Sequence, residues 1–168
     1  AIGSERYTPY LTNKQPAEIL TIANHILGTG QLSLAKFVFI TADETNQLST
    51  HHVHEYFEYI LARLDLANDI HFYTKTTMDT LDYSGDGLNS GSKVVIAAYG
   101  DVKRDLATVV PARLIALNMQ ASLVMPGVVA VNAASYSTVA LQKALEGQGA
   151  ALLNQEGVVL IIRTEDPV

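Results

Sequence analysis

The sequence predicts an α/β domain: a layered, largely parallel sheet with flanking helices. Three observations predict it. Short apolar runs of strand length alternate with helical periodicities, glycine or proline marks the helix ends, and 48% hydrophobic content against 17% charge supplies a dense core. A chain of 168 residues buries roughly 70% of its extended-chain surface.

Residues 1–15 read as irregular chain. Pro16 suits a first helical turn, where its missing N–H costs nothing, and Glu18 favours the positive end of the dipole. Ile19, Ile22, Ala23, Ile26 and Leu27 share one helical face, and Gly28 and Gly30 end the helix. Residues 36–41, with Phe37, Val38, Phe39 and Ile40, read as a strand buried on both faces, and Asp43, Glu44 and Thr45 mark its end. Ser49 is the expected N-cap of a second helix whose buried face is Val53, Phe57, Ile60, Leu61 and Leu64.

A short strand is expected at 70–73, irregular chain at 76–92 and another strand at 93–98. Residues 101–110 fit extended chain and helix alike. Residues 127–131 read as a strand, 138–146 as a helix ended by Gly147, and 158–162 as a last strand. Helix 16–27 followed by FVFITADE (37–44) echoes helix 138–147 followed by VLIIRTED (159–166). The echo suggests a duplicated unit, with 1–100 as the first copy and 101–168 as a second, partial one. The chain opens without Met and stops just after an apolar strand, as expected of a domain cut from a larger protein.

A net charge of −6 with no basic stripe argues against nucleic acid and anionic membrane as partners. Cysteine is absent, which excludes disulfides, thiolate metal sites and cysteine nucleophiles, and fits a cytoplasmic location. The uncharged stretch 114–142 contains Asn118, Gln120, Ser122, Pro126 and Asn132, so no membrane span is expected there.

Local motifs add little chemistry. The loop SGDGLNSGSK (84–93) leads into a strand rather than a helix, so it reads as a glycine turn and not a phosphate loop. His51, His52 and His54 with Glu55 and Glu58 have metal-like spacing but read as a solvated helical turn. Asp79, Asp82 and Asp86 lack the alternation of a calcium loop. No catalytic triad or carboxylate pair stands out, so no catalytic residue and no metal ligand is expected within the chain.

Three successive segments carry a resemblance across about ninety residues. They are PAEILTIANHILGTGQLSLAKFVFI (16–40), with its lysine–aromatic step Lys36-Phe37; HEYFEYILARLDLANDI (54–70), with Arg63, Asp65 and Asp69; and MDTLDYSGDGLNSGSKVVIAA (78–98). In order and spacing they resemble the C-terminal α/β domain of the UbiD-type decarboxylases, which is expected over 1–100. Residues 101–168 look like the further α/β unit of longer members. The acidic tip at Ala42-Asp43-Glu44 is weaker than the family's usual run of aspartates.

The resemblance implies a lyase acting on aromatic or conjugated carboxylic acids with prenylated flavin mononucleotide and a metal ion. In that family the catalytic Glu–Arg–Glu set lies in a preceding region, so partners are expected to be that N-terminal region and further copies of the chain. This domain would close the cleft and build the oligomer, and would be inactive alone. By resemblance, Gly30 and Gln31, in the 28–32 turn, match a loop near the cofactor phosphate, and Leu81 matches an apolar residue lining the substrate pocket. The alternative is a non-catalytic assembly or small-ligand-binding α/β module.

Overall fold

The structure, a computed structural model, describes residues 1–3, 12, 16–43, 45, 47–82, 87–117, 120–132 and 137–164. The chain divides into two compact units, one of residues 1–56 and 63–103, the other of 57–62 and 104–168. Both carry mixed sheets with helices, an α/β architecture. Glu44, Asp86, Glu165 and Asp166, named above for their sequence patterns, lie outside the described residues.

The first unit holds β1 (Ile2–Gly3), α1 (Ala17–Leu27), a 3-10 turn (Gly30–Leu34), β2 (Phe37–Ala42), β3 (Ile70–Thr77) and β4 (Ser90–Ala97), and α2 (Val53–Arg63) is divided, its residues 57–62 belonging to the second unit. Its sheet has the order β1-β2-β4-β3. The β1–β2 and β2–β4 pairs are parallel, and β3 joins β4 antiparallel. Helix α1 follows Pro16 and ends at Gly28, whose N–H donates to the carbonyls of Asn24 and His25. Its apolar face buries Ile19 and Ala23 against Val38, Ile40, Val95 and Ala97, which is the alternate-residue pattern of one sheet face.

The second unit holds α3 (Ala112–Ala116), β5 (Ala121–Met125), β6 (Val128–Asn132), α4 (Thr138–Leu145), α5 (Gly149–Asn154) and β7 (Leu160–Thr164). Central β6 pairs antiparallel with β5 and parallel with β7. Leu114, Val129, Val131, Leu152 and Val158 form its core. Ser137 caps α4, its Oγ accepting the Ala140 N–H at 3.2 Å. Each unit contains a β–α–β connection between parallel strands: β1–α1–β2 in one and β6–α4–α5–β7 in the other.

Several expectations are corrected. On α2 the buried residues are Tyr56, Ile60, Leu61 and, just beyond, Leu64, while Val53 is exposed and Phe57 half-buried. The helix starts at Val53, so that residue precedes the buried stripe, and the stripe passes through Tyr56. Ser49 is not an N-cap: its Oγ accepts the His51 N–H at 3.2 Å in a turn ahead of the helix. β3 runs on to Thr77 instead of ending near 73, because an edge strand tolerates the polar residues Thr74, Lys75, Thr76 and Thr77, of which 76 and 77 fell in the stretch expected to be irregular. β5 and α5 were unforeseen; Ser122 breaks the apolar reading of the first, and the second is six residues opening on glycine. The described 101–110 segment holds neither helix nor strand.

Gly157 illustrates how tightly the second unit closes. It adopts φ +67, and a Cβ there would overlap the Asp105 carbonyl oxygen and lie 2.8 Å from the Ala107 nitrogen. Its own carbonyl accepts the Ala107 N–H at 3.0 Å. Because the obstruction is backbone, Gly157→Ala is expected to lose roughly 2–4 kcal/mol from left-handed strain and overlap together. Urea unfolding at unchanged m-value measures this; a loss under about 0.5 kcal/mol contradicts the close approach.

Candidate functional site

The three positions singled out by resemblance lie at one end of the first unit's sheet, where β2 and β4 begin. Gly30 opens the 3-10 turn at φ +47, with nothing within 4 Å of where a Cβ would stand. Gln31 beside it is exposed. Leu81 is 79% exposed, in a tight turn after β3. There the Leu81 N–H donates to Asp79 Oδ1 at 2.8 Å and the Asp82 N–H to the Asp79 carbonyl at 3.1 Å.

Two lysines organise this end. Lys36 precedes β2 and pairs with Asp82 at 3.4 Å. That pair joins the lysine–aromatic step of one family-like segment to the Leu-Asp step of another. Lys93 on β4 is buried, and its ammonium donates to the Ser33 carbonyl inside the Gly30–Leu34 turn. Burial holds the Lys93 ammonium below its ordinary pKa. Sequence reading missed both contacts; a lysine at the head of an apolar strand was the available signal for Lys93.

On the face of the sheet away from α1, this end is apolar. Phe37, Val94 and Phe72 stand in register across three strands, with Phe37 and Phe72 exposed. Leu32, Leu81 and Leu88 are also exposed nearby in the chain's turns.

The opposite, carboxyl end of β4 carries different chemistry. A cleft of about 490 Å³ is lined by Pro16, Ala17, Asp65, Asp69, His71 and Lys103 among others. Asp69 is buried, and its Oδ2 accepts the Asp65 N–H at 2.8 Å. Burial pushes the Asp69 carboxyl above the usual range, whereas the Asn68 side-chain amide, then the Ala67 N–H, hold Asp65 below it. Arg63 Nε donates to the Gly100 carbonyl at 3.0 Å. The Arg63/Asp65/Asp69 motif is therefore at least a helix-exit staple. Asp43, at the acidic tip, accepts the Leu48 N–H at 2.6 Å and the Thr45 hydroxyl and N–H at 2.7 and 2.9 Å, bonds that lower its pKa.

His52 pairs with Glu55 at 3.2 Å, and among the described residues no three His, Cys, Asp or Glu converge on a metal. No helix among them is long and apolar enough to cross a membrane.

The buried lysine yields a pH prediction. With its folded pKa below 10.5, the unfolded chain binds more protons as pH approaches that value, so stability rises with pH there. Lys93→Met is expected to flatten this rise as pH climbs toward 10.5, measured by urea midpoints at several alkaline pH values. An unchanged slope would mean Lys93 is not the group responsible.

Comparison with known proteins bears on the same residues. Residues 2–98, more than half the chain, match the family described as the 3-octaprenyl-4-hydroxybenzoate carboxy-lyase C-terminal domain of UbiD. A 4-hydroxybenzoate decarboxylase subunit from Chlamydia pneumoniae is 45% identical over 89 residues, covering 53% of this chain and 15% of that protein. An uncharacterized protein of Chlamydia trachomatis is 40% identical over 106 residues, covering 63% of this chain and 16% of its own length. One from Chlamydia caviae is 40% identical over 94 residues, covering 53% and 15%. The chain thus spans only a small part of the curated relatives it matches. All three resembling segments, including the Lys36–Asp82 pair that joins two of them, fall inside the matched region, and the chain belongs to the UbiD family through its C-terminal domain.

Proposed function

We propose that this chain is the cleft-closing and oligomerising part of a UbiD-type decarboxylase acting on aromatic or conjugated carboxylic acids. The observation that carries the reading is the apolar end of the first unit. There Leu81, 79% exposed, is held outward on a wired turn beside the Gly30–Leu34 turn. An apolar wall of this kind suits a conjugated ring, and a preceding catalytic region would supply the reacting groups.

The chain's own residues do not fit prenylated flavin mononucleotide by themselves. Residues 28–34 carry no cationic side chain, Gly30 is open to its surroundings, and the ammonium under the turn, that of Lys93, is committed to the Ser33 carbonyl. No step of the chemistry is assigned to them. The isolated chain is therefore expected to bind flavin mononucleotide no tighter than millimolar, a limit of about −4 kcal/mol. Calorimetry checks this, and micromolar affinity contradicts it. In the full-length protein, Leu81→Ala is expected to shift kcat/KM between 4-hydroxybenzoate and bulkier para-substituted benzoates by roughly tenfold. An unchanged preference would remove Leu81 from the pocket.

Oligomerisation has support in the second unit. β7 lies at the edge of its three-stranded sheet, and Leu160 and Ile162 on it are exposed. An edge strand with apolar side chains and little charge offers unpaired N–H and C=O groups to another chain. Concentration-dependent light scattering is expected to show self-association that Ile162→Lys weakens. A strictly monomeric species at high concentration would reject this part.

The polar cleft at the other end favours a second reading, a small-ligand-binding module. Absence of the catalytic Glu–Arg–Glu set from the full-length protein would favour it over the first.

A further inference from the structure

We propose that the Lys36–Asp82 ion pair is a latch that ties the 79–82 turn carrying Leu81 to the head of β2, making Lys36 a positioning residue for substrate selection. The inference rests on the reading of Leu81 as substrate-facing, and goes beyond it by naming what holds that side chain in place.

One half of the latch is anchored in the sheet. The Lys36 carbonyl accepts the Val94 N–H at 3.0 Å, tying the residue to β4. One residue earlier, the Ala35 N–H donates to the Leu32 carbonyl at 3.1 Å, so the 3-10 turn and Lys36 are fixed as one piece. The other half is the turn at 79–82, with its two hydrogen bonds onto Asp79. Its root is Met78, which is buried against Gly91 and donates its N–H to the Asn89 carbonyl at 3.1 Å. Asn89 Nδ2 also donates to Thr80 Oγ1 at 3.1 Å.

The root is thus fastened by packing, and the tip by the Asn89–Thr80 bond together with the ion pair. The paired side chains are only 30% and 25% exposed, so water screens them less than an open surface pair. An apolar side chain left exposed by a turn this constrained does not serve packing within its own unit. It is presented to something else. Without the Lys36 charge, the tip would lose its tie to the head of β2, and Leu81 would be held less firmly.

The test uses the full-length protein carrying Lys36→Met, the charge swap Lys36→Asp with Asp82→Lys, and Leu81→Ala. Lys36→Met is expected to speed amide exchange at Leu81 roughly fivefold or more. It should also raise KM for 4-hydroxybenzoate more than it lowers kcat, and the swap should restore both. Unchanged exchange in Lys36→Met overturns the latch, as does a swap that restores neither quantity. A general loss of protection along β2 and β4 overturns it too, because Lys36 would then be structural. Leu81→Ala separates the two layers. If it leaves substrate preference unchanged, the substrate-facing reading fails; if it changes preference while Lys36→Met does not, the latch fails.

Discussion

The pairing of β2 with β4 sets the faces on which everything else in the first unit depends. With Phe37 opposite Val94 and Ile40 opposite Ala97, residues 38, 40, 95 and 97 all turn toward α1. A slip of one residue would reverse every side chain. The same register places Phe37 and Val94 on the other face, next to Phe72 of β3. It also brings Lys36 to the strand's mouth, where Asp82 can reach it, and aims Lys93 under the turn that follows α1. Packing and site geometry therefore share one constraint, and a substitution that weakens the parallel pairing would disturb both.

Much of this was legible in the sequence because the strongest elements are periodic. The helix at 17–27, the strands at 37–42 and 128–132 and the helix at 138–145 follow directly from apolar spacing and from glycine or proline at their ends. What escaped were features decided by tertiary context. Tyr56 is buried where Val53 was expected, since its phenol donates to the Phe39 carbonyl at 2.8 Å, a bond that periodicity cannot foresee. Burial pushes that phenol well above its ordinary pKa. A lysine heading an apolar strand hints that Lys93 matters, but neither its Ser33 partner nor the Asp82 partner of Lys36 can be read locally, because they lie far apart in the chain. Resemblance drew attention to Gly30 and Leu81, but only coordinates reveal that charge links their segments.

The first unit keeps its two ends chemically distinct. One is apolar and stiffened by lysines. The other is polar, with Asp65 and Asp69 locked into the exit of α2 and a cleft beside the uncapped start of α1. Open α/β sheets commonly bind ligands at the carboxyl ends of their strands. Here the family-like segments contribute to both ends, Lys36 and Asp82 at the amino ends and Arg63, Asp65 and Asp69 at the carboxyl end. The second unit lies largely beyond the family match, yet has β–α–β connectivity of its own on a smaller sheet.

Lys93 has a consequence for how the protein can be observed. Acylating reagents attack the neutral amine, and burial both favours that form and denies reagents access to it. Lys36 and Lys103 keep 30% and 40% of their side-chain surfaces in water and would be modified first. Lys93 would react only when the Gly30–Leu34 turn lifts away from β4. Its labelling rate becomes a clock for that opening, read at a single residue by mass spectrometry without any added probe.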